Sequence, residues 1–235
     1  VPAPTALFRP LGSGQIEKNG LIASATYVGT TASAGPGGAG VLVDGGATSG
    51  IQQTFVNVFD RTTYSVAVLF SLKGLAANST ILGINAILQV RINTSSQLQI
   101  LTEGVSLNAT SSYAGFVVNQ LFCLVITNKV GGPLIAYANG SEVARVAGGQ
   151  DVNIANRFLN FGRRSGAGEV ANALIYEAAH WSGTTLSSGA AAQLSKDYYG
   201  TLFAPRTFVI PSSATVQLLR PVSDVSAGAW TPSSG

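Results

Sequence analysis

Short apolar runs separated by turn-forming residues are the sequence feature that most limits the fold of this chain. From Tyr64 onward they recur about every ten to fifteen residues, as the strands of antiparallel sheets do. The runs read YSVAVLFSL, STILGIN, LQVRIN, QLQILTE, GFVVN, QLFCLVITN, RFLNFGRR and NALIYEAAHW. Parallel strands would need longer, usually helical, crossover connections. The pattern therefore predicts an all-β, antiparallel β-sandwich.

The segment PLIAYANGSEVARV, residues 133–146, carries the clearest local signal in the chain. Asn139-Gly140 supplies the two positive-φ residues that a type I′ turn requires, and apolar residues flank it on both sides. The segment therefore predicts a tight β-hairpin. Such a hairpin serves either to hold a sheet in register or to form the rim of a site, and the segment alone does not decide between these roles.

One helix is predicted, over LSSGAAAQLSKDYYG at residues 186–200. Ser187 suits the N-cap, and Gly200 suits the end of the helix. Ala191, Leu194 and Tyr198 fall on one face. A single short helix near the C-terminus of an otherwise β chain is expected to cover an edge of the sandwich.

The composition of the two chain ends predicts extensions around one principal domain. Residues 1–20 contain three prolines and little periodicity, which is typical of an extended arm. Residues 21–200 hold the predicted sandwich. Residues 201–235 have apolar segments interrupted by proline and then lose all pattern, so they are expected to form an extension or linker.

Charge and composition exclude several classes of function. Charged residues make up 10% of the chain and the net charge is only +3, without the basic stripe that nucleic-acid binding needs. The longest apolar run, residues 121–126, is far too short to cross a bilayer. The single cysteine, Cys123, lies inside that run and is expected to be a buried strand residue. We therefore expect neither nucleic-acid binding nor membrane insertion.

The order of five segments resembles the laminin-G-like, concanavalin A-like jelly roll. The segments are YSVAVLFSL, LQVRINTSSQLQI, LIAYANGSEV, FLNFGRR and ALIYEAAHWSGTTLSSGAAAQL, and together they span a little over half of the chain. The Asn-Gly hairpin, the strand that ends at glycine and the closing strand with Glu177 are similar to recurrent features of that family. The resemblance implies a jelly-roll sandwich.

A second resemblance is confined to YYGTLFAPRTFVIP, which is similar to the segment that follows such domains in bacteriophage structural proteins. It implies a non-enzymatic virion component, either a capsid decoration protein or part of a tail fibre or spike. Its partners would be other virion proteins and further copies of itself, with a trimer favoured. Apolar residues of the two arms are the candidate assembly contacts: Leu7, Phe8, Leu202 and Phe203.

Catalytic and metal-binding groups are sparse, so no cofactor is expected. Glycosidases need paired carboxyl groups, and Glu169 and Glu177 would be about 25 Å apart if they shared one strand. His180, the only histidine, is expected to be packed or hydrogen-bonded in a strand. The sequence therefore predicts no enzyme, with a glycoside hydrolase as the weakest alternative. Calcium is unsupported, although three isolated aspartates are possible ligands if they are not simply turn residues: Asp44, Asp60 and Asp151.

A carbohydrate-binding, lectin-like receptor-binding module that contacts a host-surface glycan is the main alternative to a purely structural role. Sugar sites combine an aromatic ring with amide, hydroxyl or guanidinium groups. Trp181, Arg163, Arg164 and Asn139 fall in or near loops that one rim of the sandwich would bring together. The competing interpretation is that Trp181 seals the core beside the helix and that the two arginines form a solvated turn.

Overall fold

A computed structural model describes residues 1–10, 16–17, 22–36, 40–46, 49–55, 60, 62–75, 79–84, 88–102, 109–148, 158–163 and 169–203. These residues belong to one compact unit, Val1–Ala204. The C-terminal unit, Pro205–Gly235, lies outside the described residues, and so does most of the predicted extension at residues 201–235.

The described chain is almost entirely β-structure. In chain order the strands are β1 (Ala6–Pro10), β2 (Ile16–Glu17), β3 (Ile22–Val28), β4 (Thr30–Ser33), β5 (Gly40–Asp44), β6 (Gly50–Phe55), β7 (Thr63–Gly74), β8 (Ser79–Ile84), β9 (Leu88–Ile92), β10 (Leu98–Thr102), β11 (Ala109–Thr110), β12 (Leu121–Lys129), β13 (Leu134–Ala138), β14 (Ser141–Val146), β15 (Phe158–Phe161) and β16 (Asn172–Ser182). Two short helices, α1 (Ser188–Lys196) and α2 (Tyr198–Phe203), follow the last strand.

The strands form two antiparallel sheets. The first has the order β14-β13-β12-β7-β16-β1-β2, with β5 also paired to β16 and β4 paired to β5. The second has the order β11-β10-β9-β8-β15-β6-β3. The largest apolar cluster draws its side chains from both sheets and forms the core between them. The predicted all-β antiparallel sandwich is confirmed.

Strand β7 is buried along nearly its whole length, which explains why YSVAVLFSL is continuously apolar instead of alternating. Val66 and Val68 belong to the core between the sheets. Ala67 and Leu69 point to the opposite face and belong to a second apolar cluster, which includes Leu194 of α1. The helices therefore cover part of the outer face of the first sheet.

The run GFVVN was wrongly predicted to be a strand. The structure leaves residues 115–119 without strand pairing. Phe116 is nevertheless fully buried, and its ring centroid lies 5.1 Å from that of Phe122 and 6.4 Å from that of Phe70. Phe116 is therefore apolar because it is buried in the core, and not because the run forms a strand.

The prediction of a single helix that ends at Gly200 is also wrong. Ser187 caps α1 as expected, since its side chain accepts a hydrogen bond from the Ala190 N–H. The helix stops at Lys196 because Asp197 has φ −142° and ψ 87°. The Asp197 carboxylate then accepts a hydrogen bond from the Gly200 N–H at 2.9 Å, within the first turn of α2. Asp197 thus separates two helices where the apolar pattern predicts one.

The N-terminal residues differ from the predicted free arm, because Ala6–Pro10 form a strand that pairs with β16. Phe8 is only 1% exposed and stacks on Phe161, with ring centroids 5.6 Å apart. Phe8 is therefore a core residue and not an assembly contact. Leu7 and Leu202 are partly buried against the cluster beneath the helices, and the side chain of Phe203 lies outside the described residues.

The Asn139-Gly140 turn has the predicted type I′ character. Asn139 has φ 51° and Gly140 has φ 82°, and Ala138 pairs with Ser141 across the two-residue loop. Among the described helices, none has the length and apolar character needed to span a membrane.

Replacing Phe8 tests whether β1 is part of the core. We expect Phe8→Ala to lower the free energy of unfolding by about 3–5 kcal/mol, because it removes a buried ring and leaves a cavity beside Phe161. Val1→Ala, at a position 47% exposed, is the control and should change stability very little. Chemical denaturation measures both variants. Equal, small effects would mean that the N-terminal segment is an arm after all.

Candidate functional site

Trp181 is not available to a ligand, which corrects its prediction as a sugar-stacking residue. Its side chain is 1% exposed and lies in the apolar cluster between the first sheet and the helices. The indole Nε1 donates a hydrogen bond to the carbonyl oxygen of Pro2 at 2.9 Å. The alternative interpretation, in which Trp181 seals the core beside the helix, is the correct one.

Arg163 does not join a binding rim with Asn139 either. It forms an isolated bridge with Val170, and its aliphatic stem packs so closely on Gly50 that a Cβ there would clash with the Arg163 side chain. Arg164 lies outside the described residues. Of the four residues predicted to bind glycan, Asn139 is exposed and lines a concave surface.

Asn139 lies at the rim of a cleft of about 150 Å³ between the β13–β14 hairpin, strands β7 and β12, and the helices. The floor of this cleft is apolar and is formed by Leu69 and Cys123, with Leu121 at its exposed end. The helical wall consists of Ser195, Lys196, Asp197, Tyr198 and Tyr199. We call this surface the hairpin–helix cleft.

A hydrogen bond between the hairpin and α1 holds one side of the cleft together. The Gly140 N–H donates to Ser195 Oγ at 2.9 Å, and the same hydroxyl donates to the Ala192 carbonyl at 2.8 Å. Gly140 is suited to this contact, because a Cβ there would lie 3.4 Å from the Lys196 side chain and the residue has a positive φ. The hairpin tip is therefore fixed against the end of the helix.

Tyr113 restrains the Asn139 side chain from the other direction. Asn139 Nδ2 donates to the Tyr113 hydroxyl at 2.8 Å. The Tyr113 ring packs edge-on against Phe116, with centroids 5.2 Å apart and an interplanar angle of 84°. An exposed amide is thus held in one orientation before any ligand arrives, which reduces the entropy lost on binding.

The thiol on the floor of the cleft contributes packing surface and is not a reactive nucleophile. Cys123 is buried, and this burial raises the pKa of its thiol well above the ordinary value, so the thiolate is disfavoured. The rings of Tyr198 and Tyr199 meet edge to face with centroids 5.3 Å apart. The arrangement suits reversible binding of a small ligand.

The two carboxylates considered for hydrolysis do not share a strand. Glu177 lies in β16 of the first sheet and is 1% exposed. Glu169 forms an ion pair with Arg91 of β9, in the second sheet, with 3.1 Å between Oε1 and Nη1. It also accepts a hydrogen bond from Gln89 on the same strand. Glu169 is therefore part of a polar network on the second sheet.

Two of the aspartates considered as calcium ligands, Asp44 and Asp60, accept hydrogen bonds from residues close to them in sequence. Asp44 accepts hydrogen bonds from the Ser49 hydroxyl and the Gly46 N–H, and these bonds lower the pKa of its carboxyl group. Asp60 accepts hydrogen bonds from Thr62 and Thr63. Asp151 lies outside the described residues. Within the described ranges, no group of three or more His, Cys, Asp or Glu side chains is placed to hold a metal ion.

Among known proteins, matches to this chain were found only by comparison of structures. No family model and no curated protein matches the sequence. Trypanosoma rangeli sialidase in complex with sialic acid has a TM-score of 0.63 at 13% identity, over 83% of this chain and 33% of the sialidase. Domain 4 of AbnA, a GH43 extracellular arabinanase from Geobacillus stearothermophilus in complex with arabinotriose, has a TM-score of 0.60 at 18% identity, over 82% of this chain and 98% of that domain.

This chain shares their β-sandwich fold. Botulinum neurotoxin type C, whose cell entry depends on interaction with two ganglioside molecules, gives a TM-score of 0.61 at 14% identity, over 80% of this chain and 50% of the toxin chain. The chain thus spans a third of the sialidase and half of the toxin chain. At 13–18% identity, the similarity to these three structures shows a shared β-sandwich fold.

His180 provides a test of how the strand around it is packed. It lies beside Phe8 and Phe161, and burial lowers its pKa from 6.5 to about 3. Protonation of His180 therefore favours the unfolded chain. The part of the stability that depends on neutral His180 is fully present above pH 6.5 and is lost as the pH falls towards 3. Between pH 6.5 and pH 4 we expect the unfolding free energy of the wild type to fall by about 3 kcal/mol more than that of His180→Gln.

Urea denaturation at a series of pH values measures this difference. Every other titrating group is common to the wild type and His180→Gln. The difference between their pH profiles therefore reports the titration of His180 alone. Parallel pH profiles for the two proteins would contradict the buried, neutral state of His180.

Proposed function

We propose that the chain is a non-catalytic carbohydrate-binding module and that the hairpin–helix cleft is its binding site. The observation that carries the proposal is that the exposed Asn139, whose amide is held by Tyr113, lines a small open cleft together with apolar and aromatic side chains. Sugars present both apolar C–H faces and hydroxyl edges, so they need this combination of packing surface and a few fixed polar groups.

The size of the cleft supports a short ligand. Pockets for drug-sized molecules measure about 300–1,000 Å³, whereas this cleft has about 150 Å³. A single terminal sugar unit fits such a space better than an internal stretch of a polysaccharide. The remaining units of a glycan would extend into solvent past the exposed Leu121.

The structural neighbours support the same class of ligand. A sialidase with sialic acid, an arabinanase domain with arabinotriose and a ganglioside-dependent toxin share this sandwich at 13–18% identity. Their ligands are carbohydrates of different kinds, so the neighbours support carbohydrate binding in general and no particular sugar.

The absence of catalysis is part of the proposal. Glu169 is already paired with Arg91, and Glu177 is buried in another sheet, which argues against two carboxyl groups acting on one glycosidic bond. Incubation with a panel of glycans followed by product analysis tests this point. Turnover that Glu177→Gln abolishes would overturn it.

A place in a bacteriophage particle remains a second candidate, supported by the sequence YYGTLFAPRTFVIP. A carbohydrate-binding module at the host-recognition end of a tail fibre or spike would satisfy both proposals, and it would place a homo-oligomer, with a trimer favoured, on the particle. Mass measurement in solution and a density map of intact particles test this role. A stable monomer that is missing from purified particles would exclude it.

Binding should depend on the residues of the cleft and not on their neighbours. We expect Asn139→Gly, which preserves the type I′ turn, and Tyr199→Leu each to weaken glycan binding about fivefold through loss of a hydrogen bond or ring contact. Ser141→Ala, at an exposed hairpin residue that does not line the cleft, is the control. A glycan array followed by calorimetry measures the effect. Binding that both cleft variants leave unchanged would exclude this site.

A further inference from the structure

We propose that the hairpin–helix cleft selects an acidic sugar, one that carries a carboxylate, and that the Lys196 ammonium is the group that recognises it. This inference rests on the proposed carbohydrate-binding function and adds the class of ligand. It depends on the different surroundings of the two charged residues at the rim, Lys196 and Asp197.

The stem of Lys196 lies against the hairpin tip. A Cβ on Gly140 would lie 3.4 Å from both Cβ and Cδ of Lys196, so the side chain runs across the glycine instead of projecting freely into solvent. This packing limits the positions that the ammonium group can take. It also reduces the side-chain entropy that a lysine loses when it binds an anion.

The Lys196 ammonium has no carboxylate partner among the residues that the structure describes. It stands at the end of α1, where its charge also complements the helix dipole. That interaction is modest and leaves all three N–H donors of the ammonium available to a ligand.

Asp197 is in a different state, because its carboxylate already accepts a hydrogen bond from the Gly200 N–H at 2.9 Å and caps the first turn of α2. Its negative charge is therefore partly offset by one backbone N–H. The rim combines a cation that has no carboxylate partner among the described residues, one engaged carboxylate and the Asn139 amide. A carboxylate on the ligand would pair with the cation, while ring hydroxyl groups would reach the amide and the Asp197 oxygens.

Matched sugar pairs test this inference. Methyl glucuronide and methyl glucoside, methyl galacturonide and methyl galactoside, and sialyllactose and lactose each differ by an acidic group or an acidic sugar. We expect the wild type to bind the acidic member of at least one pair about tenfold more tightly, as one charge-assisted hydrogen bond provides. The preference should shrink as salt is raised, because the pair is exposed.

Three variants separate recognition from structure. Lys196→Gln should remove the preference for the acidic sugar but leave the affinity for the neutral partner unchanged. Lys196→Arg, which keeps the charge, should retain most of the preference. Asn139→Gly should weaken the binding of both members of a pair by the same factor. Thermal unfolding of each variant shows whether loss of the helix-end charge has altered the fold.

The outcomes distinguish failure of this inference from failure of the proposed function. Equal binding within every pair, or a preference that survives Lys196→Gln, would overturn the assignment to Lys196 while carbohydrate binding stands. If the wild type binds none of these sugars and no glycan on a broad array, both proposals are wrong.

Discussion

Burial of β7 on both of its faces is the constraint on which the rest of this structure depends. Val66 and Val68 pack into the core between the sheets, whereas Ala67 and Leu69 face the opposite way. The second sheet can cover only one of these faces. The outer face of the first sheet therefore needs a further apolar layer, and α1 and α2 provide it through residues such as Leu194. The same layer encloses Trp181, so the most suggestive aromatic residue in the sequence stabilises the fold.

The candidate site is a consequence of that layer. Where α1 ends, it meets the tip of the β13–β14 hairpin, and a hydrogen bond joins Gly140 to Ser195 across 55 residues of sequence. The helices cover the sheet incompletely at this edge, which leaves a small cleft with an apolar floor. The aromatic wall and the charged rim of the cleft thus come from elements whose first role is to protect the sheet.

Two features of this cleft support the proposal of reversible binding. Its polar groups are held in place before a ligand arrives, since Tyr113 holds Asn139 and Gly140 holds the stem of Lys196. Cys123 on its floor is buried, which raises the pKa of the thiol and disfavours the thiolate. Of the two carboxylates considered for hydrolysis, Glu169 is paired with Arg91 and Glu177 is buried, and neither lines the cleft. These contacts are the basis on which we propose a lectin-like role, and the structural neighbours share the β-sandwich fold.

The sequence by itself determined the fold class, the Asn139-Gly140 turn and the Ser187 helix cap, because each depends on local periodicity or on the backbone preferences of one or two residues. Only the tertiary structure decided that Phe8 and Trp181 are core residues, since their burial depends on the partners of β16 and on the helices. It also decided that Asp197 divides the helix, and that Asn139 and Lys196 share one cleft. An apolar pattern reports that a residue is buried but not which distant element covers it, so sites assembled across such distances are not encoded in any single segment.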